Sequence, residues 1–385
     1  MDERLKGLSV LGSTGSVGTQ VLDIVRTYPD RFTVIGLAAN RNHKLLSEQI
    51  EEFEPRFVYY KKPLEEGIDF PASEARKVTL SEIATADDVD IVVTATTGDV
   101  ALSPTFDAIG KGLDIAIANK ETIIMAGDKL MRDAGNKGVS LLPVDSEPSA
   151  IWQCLRGENS LIEKLVITAS GGAFRDVPIE ELDQVQRTDA LKHPTWEMGA
   201  KISVDSATMM NKAFEVIEAK WLFNVDWSQI DVVIHPESII HSMVEFEDGS
   251  TKAQLSPPDM RLPIQHALFY PERLSNAKLS RFDPVKTKEL TFRELDHDRY
   301  PCFQMALDHA RRGGTWPSAL CGADDGAVEA FLGGKISFKE IEPLIRTSLL
   351  THKSVTNPSL KQMQAASRWG KNQVNDLVGN KSNND

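Results

Sequence analysis

Asp145 and Glu147 have the residue type and the spacing of ligands for a divalent cation. They stand two positions apart after the apolar run 141–144, and in an extended segment such side chains point the same way. Two carboxylates aimed at one point repel each other unless a cation lies between them. Oxygen ligands of this kind suit Mg²⁺ or Mn²⁺. A solvated turn or a helix N-cap is the alternative interpretation.

A third carboxylate would favour the metal site, and Glu215 is the candidate. A helix is predicted at 207–223 from apolar residues three and four positions apart. On that helix Asn211 and Glu215 would be neighbours, with Lys212 beside them. The alternative is a polar helix face that meets water.

Gly12, Gly15 and Gly18 have the spacing of a loop that binds a pyrophosphate. They follow the apolar run 8–11 and precede a helical pattern, and a second strand is predicted at 32–39. Glycines there allow a tight turn, so that backbone N–H groups at the helix start can approach a phosphate. The spacing alone also fits a structural turn, but its position between a strand and a helix favours a dinucleotide.

Asn40, Arg41 and Asn42 follow the second predicted strand. An enzyme that uses NAD usually carries an acidic residue there for the ribose 2′-hydroxyl. A cation between two amides suits the 2′-phosphate of NADP instead. We therefore predict NADPH as the cofactor, with a solvated surface Arg41 as the alternative.

Other polar residues follow predicted strands or lie in a polar loop. Lys120 comes after the strand at 115–118, where ligands of open α/β sheets bind, although it could be an ordinary charge at a helix start. The turn 170–172, Ser-Gly-Gly, can bind an anion through a hydroxyl and backbone N–H groups. His193 and Trp196 lie in a loop; His193 could donate to a phosphate, whereas such a tryptophan is more often part of a core.

Nearly apolar segments alternate with helical patterns in the first 144 residues, which predicts an α/β fold with a parallel sheet covered by helices. The predicted strands are 8–11, 32–39, 56–60, 91–95 and 115–118.

Four ranges follow from the changes of pattern. Residues 1–144 are expected to form a Rossmann-type NADP-binding domain and residues 145–275 an α+β catalytic domain. Residues 276–300 lack periodicity and are interpreted as a linker, and residues 301–385 as a C-terminal helical domain.

Composition excludes several classes of protein. The chain has 385 residues, 41% of them hydrophobic and 26% charged, which suits a globular protein of more than one domain. A net charge of −13 disfavours nucleic acids and anionic membranes as partners. No apolar run is long enough to span a membrane, and three separated cysteines suit a reducing compartment.

Several motifs in this order resemble one family, the 1-deoxy-D-xylulose 5-phosphate reductoisomerases, over nearly the whole chain. The motifs are Gly-Ser-Thr-Gly-Ser-Val-Gly (12–18), Ala-Asn-Lys-Glu (118–121), Pro-Val-Asp-Ser-Glu (143–147), Ser-Gly-Gly-Ala-Phe (170–174), His-Pro-Thr-Trp-Glu-Met-Gly (193–199), Val-Asp-Ser-Ala-Thr-Met-Met-Asn-Lys (204–212), His-Pro-Glu-Ser (235–238) and Pro-Asp-Met-Arg-Leu-Pro (258–263).

The resemblance implies an enzyme that rearranges 1-deoxy-D-xylulose 5-phosphate and reduces it with NADPH to 2-C-methyl-D-erythritol 4-phosphate, in isoprenoid precursor biosynthesis. It also implies a homodimer. The first residues show no secretory or transit pattern, so a bacterial-type, cytoplasmic member is expected.

The resemblance also implies the roles of individual residues. The metal ligands would be Asp145, Glu147 and Glu215. The substrate would contact Lys120, Ser146, Ser170, His193, Trp196, Ser206, Asn211 and Lys212, with residues 193–199 as a lid. NADPH would contact Thr14, Gly15, Ser16, Val17, Asn40, Arg41, Asn42, Asn119, Glu121 and Gly199. The candidate catalytic residues are Lys120, Glu147 and His193.

The chain departs from the family pattern at two places. Pro148 stands where the family usually has His, next to the proposed metal ligands. The segment 321–325 reads Cys-Gly-Ala-Asp-Asp in place of the usual Asn-Ala-Ala-Asn-Glu.

Two other functions remain as alternatives. A semialdehyde-type dehydrogenase would need an activated cysteine, and Cys154 lies in an apolar run. A non-catalytic NADP-binding sensor would not need the three carboxylates.

Overall fold

The structure, a computed structural model, describes residues 4–61 and 75–382. Parts of the predicted ranges 1–144 and 301–385 fall on residues 1–3, 62–74 and 383–385, outside the described residues. The strands, in chain order, are β1 (Lys6–Leu11), β2 (Phe32–Ala39), β3 (Phe57–Tyr60), β4 (Arg76–Lys77), β5 (Ile91–Thr94), β6 (Asp114–Ile117), β7 (Leu141–Pro143), β8 (Ile162–Ala169), β9 (Ile230–Ile234), β10 (Ile240–Phe246), β11 (Thr251–Leu255) and β12 (Arg293–Glu294).

The α-helices are α1 (Ser16–Thr27), α2 (His43–Phe53), α3 (Leu80–Ala84), α4 (Leu102–Lys111), α5 (Lys120–Lys137), α6 (Ser146–Leu155), α7 (Arg187–Ala190), α8 (Ala200–Thr208), α9 (Met210–Leu222), α10 (Arg261–Phe269), α11 (Pro284–Thr287), α12 (Pro301–Arg311), α13 (Trp316–Leu332), α14 (Ile341–Leu349) and α15 (Leu360–Ser382). None of the helices among the described residues is both long and apolar enough to cross a membrane.

The chain divides into two compact units. Unit 1 consists of Met1–Thr122, Asp128–Ser149 and Asp259–Ser280, and unit 2 of Ile123–Gly127, Ala150–Pro258 and Arg281–Asp385. This grouping differs from the four ranges expected from the sequence, chiefly because residues 259–280 join unit 1.

Unit 1 contains a seven-stranded sheet in the order β4-β3-β2-β1-β5-β6-β7. All of its neighbouring strands are parallel. The predicted α/β fold with a Rossmann-type sheet is therefore confirmed. Because β1 lies between β2 and β5, the direction of strand succession reverses there, and ligands of such sheets bind at that point.

The apolar pattern of each strand explains this sheet. Leu8 and Val10 of β1 and Val92 and Val93 of β5 are fully buried, as strands covered on both faces must be. Helix α1 buries Val21 and its apolar neighbours on one face, as the sequence spacing predicts.

The α10 segment packs on unit 1 through aromatic rings. The Phe269 ring lies 4.8 Å from the Tyr28 ring and 4.9 Å from the Phe32 ring, both edge-on. Arg31 pairs with Glu272 at 3.0 Å. These contacts join residues more than 230 positions apart, so local periodicity could not assign this segment to unit 1.

Unit 2 contains a five-stranded sheet in the order β11-β10-β8-β9-β12. β8 and β9 are parallel, and β10 runs antiparallel to β8 and β11. Residues 276–300 are not merely a linker, because they contain α11 and the edge strand β12, which pairs with β9. The remaining C-terminal residues form α12–α15, as predicted.

The helix predicted at 207–223 is in fact two helices. Met209 has a left-handed backbone conformation, φ 60°, and separates α8 from α9. Thr208 Oγ accepts the N–H of Met210 at 3.3 Å, which stabilises the break.

Gly322, part of one departure from the family pattern, lets α13 and α15 approach closely. A Cβ atom there would lie 1.7 Å from the carbonyl oxygen of Ser367, and one at Gly370 would lie 2.2 Å from that of Ala319. The two helices therefore pack backbone against backbone.

Candidate functional site

The nucleotide loop of unit 1 is built from two glycines that no other residue could replace. Gly12 has φ +97°, and a Cβ atom there would lie 2.5 Å from the carbonyl oxygen of Ala95. A Cβ atom on Gly18 would lie 2.1 Å from the carbonyl oxygen of Gly12. Gly15 and Ser16 are exposed at the start of α1. A tight loop before an exposed helix start is the arrangement that binds phosphate through backbone N–H groups.

Asn40 and Arg41 are exposed after β2, beside the end of β1. Asn42 has a structural role that the sequence did not indicate, because its side chain accepts the N–H of Leu45 and caps α2. Arg41 thus stands as a cation next to the nucleotide loop, at the same edge of the sheet.

Asn119 connects two of the loops at this edge. It is fully buried, and its side-chain amide donates to the carbonyl oxygens of Thr96 at 2.8 Å and Gly98 at 2.9 Å. It also donates to Glu121 at 3.0 Å and caps α5 by accepting the N–H of Thr122. The sequence reasoning missed the loop after β5, although its position beside the glycine turn could have indicated it.

Asp145 and Glu147 do not lie in an extended segment, as the sequence reasoning assumed. β7 ends at Pro143, and α6 begins at Ser146, so Glu147 is in the first helical turn. Asp145 accepts the N–H of Ser146 at 3.0 Å, and Ser146 Oγ donates to Glu147 at 2.6 Å. The two carboxylates therefore flank a helix start, where negative charge is stabilised.

Lys120 is the cation nearest to this pair in unit 1 among the described contacts. Its ammonium donates to Asp145 at 2.6 Å, and both side chains are largely buried, with 11% and 14% of their surface exposed. Pro148 also lies in the first turn of α6, where the missing N–H removes no helical hydrogen bond.

The Ser-Gly-Gly turn of unit 2 follows β8 and packs on α8. Gly171 and Gly172 have positive φ, and a Cβ atom on Gly172 would lie 2.5 Å from the carbonyl oxygen of Ser206. Ser170 Oγ accepts the N–H of Gly172 at 3.1 Å and lies 2.8 Å from His193 Nε2. The structure thus brings Ser170, His193 and the Ser206 backbone together.

The hydrogen bonds of His193 fix its tautomer. Nδ1 accepts the N–H groups of Thr195 at 3.2 Å and Trp196 at 3.0 Å, so it carries no proton in the neutral ring. Nε2 then donates to Ser170 Oγ. Because Ser170 already accepts two hydrogen bonds, its own hydrogen remains to donate to another acceptor.

The loop 193–199 lies on unit 2 through side-chain contacts. Thr195 bonds Ser238 at 3.0 Å, and the Trp196 ring, half-buried, lies 5.8 Å from the His241 ring. Trp196 is therefore not a core residue, which leaves a role at a ligand open. Gly199 is exposed at the start of α8.

Glu215 is buried within α9 with a cation beside it. It is 1% exposed, and it accepts hydrogen bonds from Lys212 and, at 2.5 Å, from Asn211. The predicted neighbours on α9 are thus confirmed. A buried carboxylate needs such a cation, since an unpaired charge there is costly.

Cys154 lacks the properties of a nucleophile. It lies buried on α6, and desolvation raises the pKa of its thiol to about 11. Since the thiolate is the reactive form, this position does not support a semialdehyde-type dehydrogenase.

Family models match three parts of the chain. The model for 1-deoxy-D-xylulose 5-phosphate reductoisomerase matches residues 8–127, and the model for the C-terminal domain of that enzyme matches residues 141–223. A further DXP reductoisomerase C-terminal domain matches residues 255–373.

Curated relatives and solved structures agree with these matches. The 1-deoxy-D-xylulose 5-phosphate reductoisomerases of Shouchella clausii and Acaryochloris marina are 48% and 47% identical, over 94% and 96% of this chain and 97% and 95% of their own. The Zymomonas mobilis enzyme in complex with NADPH has a TM-score of 0.88 at 36% identity and covers 97% of this chain and 99% of its own. A reductoisomerase in complex with NADPH, fosmidomycin and magnesium has a TM-score of 0.90 at 36% identity, over 97% and 98%.

Three models of one family match successive parts of the chain, and the curated relatives are similar to it over nearly its whole length. The chain therefore belongs to the 1-deoxy-D-xylulose 5-phosphate reductoisomerase family.

Proposed function

We propose that this protein converts 1-deoxy-D-xylulose 5-phosphate to 2-C-methyl-D-erythritol 4-phosphate with NADPH and a divalent metal ion, in isoprenoid precursor biosynthesis. Membership of the family carries the proposal. The polar residues that follow β1, β2, β6 and β7 support it, because parallel strands place all of them at one edge of the sheet.

NADPH is assigned to residues of unit 1 and to Gly199, which the family resemblance adds. The fit is supported by the loop between β1 and α1, whose two crowded glycines allow the tight turn that lets backbone N–H groups approach a pyrophosphate. Arg41 is the cation for the 2′-phosphate, with Asn40 beside it. Thr14, Gly15, Ser16 and Val17 are assigned to the pyrophosphate, and Asn42, Asn119, Glu121 and Gly199 to the rest of the cofactor. The bound cofactor supplies a hydride to the aldehyde that the rearrangement produces.

The metal ion is assigned to Asp145, Glu147 and Glu215. The donor chemistry fits, because each carboxylate can offer one oxygen to a shared ion, and hard divalent ions prefer oxygen ligands. A bound ion supplies Lewis-acid stabilisation of the negative charge that develops on substrate oxygens. Lys120 and Lys212 are the cations beside two of these carboxylates, Asp145 and Glu215.

The substrate phosphate is assigned to the serine and histidine cluster of unit 2. Ser170 has a hydroxyl hydrogen to donate, and His193 Nε2 holds its oxygen in place. Ser206, Asn211 and Lys212 are assigned to the same ligand, and so are Ser146 and Lys120 of unit 1. Binding a phosphate away from the reacting carbons orients the substrate, and this orientation lowers the barrier of the chemical step.

Lys120 and Glu147 are the residues assigned to proton movement. Lys120 donates a hydrogen bond to Asp145, and Glu147 accepts one from the Ser146 hydroxyl, so these contacts hold both side chains in place for proton transfer. The lid assigned to residues 193–199, with Trp196, would exclude water from the intermediate.

A homodimer in the cytoplasm completes the proposal. Light scattering should give twice the chain mass of 42.6 kDa. The net charge of −13 argues against nucleic acid as a partner.

A coupled assay tests the proposed function. Loss of NADPH absorbance should require both 1-deoxy-D-xylulose 5-phosphate and a divalent ion, should stop with EDTA and should return with excess Mg²⁺ or Mn²⁺. NADPH binding without turnover under all of these conditions would instead indicate the sensor. Turnover of a semialdehyde that EDTA leaves unchanged would indicate the dehydrogenase.

A further inference from the structure

Helices α8 and α13 meet at one lysine that is shared by several carboxylates. Lys201 on α8 pairs with Asp205 on the same helix at 2.6 Å and with Asp324 on α13 at 2.7 Å. Asp325 lies further away, at 3.5 Å. The side chains of Asp205 and Asp324 are only 5% and 1% exposed, whereas that of Asp325 is 23% exposed. Two buried carboxylates therefore contact one ammonium group.

The two buried carboxylates and the one ammonium carry a net charge of −1, so this group is neutral only if Asp205 or Asp324 holds a proton. Desolvation, followed by the charge of Asp205, raises the pKa of Asp324 from 3.8 to about 8, and Lys201 opposes this effect incompletely. The charged groups that face Asp324 are Lys201 and Asp205 on α8 and Asp325 on its own helix. Cys302 on α12 lies within electrostatic reach of Asp324 and Asp205, and also of Glu342 and Arg346 on α14, which pair with each other at 2.5 Å. That thiol is itself buried, and its pKa is raised, so it adds no charge.

The cluster is next to residues assigned to the substrate. Asp205 immediately precedes Ser206, and Gly172 leaves no room for a side chain against the Ser206 carbonyl. The same turn carries Ser170, which bonds His193. A displacement of α8 would therefore also displace Ser170 and His193, the serine and histidine cluster to which the substrate phosphate is assigned.

We propose that Asp324 is a positioning residue, which holds α8 in place through Lys201 while Asp324 and Asp205 share a proton. Loss of this proton at alkaline pH weakens substrate binding. The inference rests on the proposed function, because the substrate contact of α8 is part of it. Asp324 itself is not assigned to substrate or cofactor.

The stability of the folded chain should follow this proton. Because the pKa is raised on folding, the folded chain holds the proton between about pH 4 and pH 8, where the unfolded chain has released it. The proton's contribution to stability is complete below pH 4, decreases as pH rises and is lost above the folded-state pKa.

Thermal unfolding of the full chain tests the shared proton without any substrate. Asp324→Asn removes the excess carboxylate. The difference between the Tm of this variant and the Tm of the wild type should therefore increase by about 3 °C or more as the pH rises from 5.5 to 8.5. Asp205→Asn should act in the same direction, since it leaves one carboxylate for one lysine. Asp325→Asn is the matched control: among the charges that raise the pKa of Asp324 its own is the smaller, so this variant should stay closer to the wild-type profile than Asp324→Asn does. Parallel Tm profiles of Asp324→Asn and the wild type would overturn the inference.

Steady-state kinetics test the positioning role. Between pH 7 and pH 9 the KM for 1-deoxy-D-xylulose 5-phosphate should rise about threefold more in the wild type than in Asp324→Asn, well within the roughly 100-fold that a 1 Å misplacement can cost. The ratio of their kcat values and the Kd for NADPH should stay constant. Identical KM profiles would overturn the positioning role. A wild-type chain without any turnover of this substrate would reject the proposed function, whereas the Tm profiles would still decide about the proton.

Discussion

The hydrogen bonds of His193 give this residue a role in binding rather than in proton transfer. Its Nδ1 is occupied by two backbone N–H groups of the loop, and its Nε2 donates to Ser170. Both ring nitrogens are therefore engaged in shaping the site. The residue type alone left donation to a phosphate or to another substrate oxygen open, and the hydrogen bonds now favour an indirect role through Ser170.

Replacing His193 should therefore affect substrate affinity first. His193→Gln can keep the donor to Ser170 but loses the acceptor for two N–H groups, so the KM for substrate should rise about 10-fold, as expected for a lost hydrogen bond in a binding site. The kcat should change much less. His297→Gln, at an exposed position of the same unit, is the control. A loss confined to kcat would contradict the binding role.

Arg41 decides between the two nicotinamide cofactors. Loss of a charge-assisted hydrogen bond costs about 1.5–3 kcal/mol, so Arg41→Ser should raise the KM for NADPH roughly 10- to 100-fold. The KM for NADH should stay nearly unchanged, because NADH has no 2′-phosphate. Arg56→Ala, an exposed arginine paired with Asp88, is the control. Equal effects on both cofactors would show that Arg41 does not read the 2′-phosphate.

At the scale of elements, the sequence predicted most strands and helices but not where two critical ones begin. Asp145 and Glu147 were assumed to project from an extended segment, whereas α6 starts between them. The polar segment 145–149 separates the apolar runs 141–144 and 150–152, and its residue types fit an extended turn as well as a helix start, so they do not fix where α6 begins. The prediction that these two carboxylates serve one site does not depend on the extended geometry.

The break at Met209 could not be predicted from periodicity. Apolar residues continue at helical spacing through this position, and methionine is not a residue that favours positive φ. The break arises from tertiary packing, since Met209 is itself buried. It places Ala207 and Glu215 on different helices, where the sequence predicted one helix for residues 207–223.

The nucleotide loop can be tested as an element through its most crowded glycine. In Gly18→Ala the new methyl group would overlap the Gly12 carbonyl, so the free energy of unfolding should fall by about 1–3 kcal/mol. The Kd for NADPH should rise at the same time, because the loop must open. Both effects follow from the same overlap.

Gly110→Ala is the matched control for this substitution. Gly110 lies in α4, and no atom stands within 4 Å of a Cβ placed there. This variant should gain about 0.5–1 kcal/mol in stability, as a glycine inside a helix does when it is replaced by alanine. Unchanged NADPH binding in Gly18→Ala would contradict the assignment of the loop.

For the whole molecule, the order of short motifs predicted the family, which the comparisons confirm. The alternation of apolar segments and helical patterns predicted the parallel sheet, which the structure confirms. The sequence could not assign α10 to unit 1 or pair β12 with β9. Each depends on contacts between segments far apart in the chain, such as Phe269 with Tyr28. Local patterns contain no information on such contacts.

The central claim is that Asp145, Glu147 and Glu215 bind one divalent ion together. Titration of the full chain with Mn²⁺, followed by electron paramagnetic resonance, tests it most directly. We expect one tight Mn²⁺ site per chain. Its affinity for Mn²⁺ should fall by roughly 100-fold or more in Asp145→Asn, Glu147→Gln and Glu215→Gln, because even the loss of a residue that only supports a metal ligand can cost that much. NADPH binding should persist in all three variants, and Asp226→Asn, at an exposed acidic residue, should bind Mn²⁺ like the wild type. A Glu215→Gln variant that is folded, binds NADPH and keeps the wild-type affinity for Mn²⁺ would contradict the account.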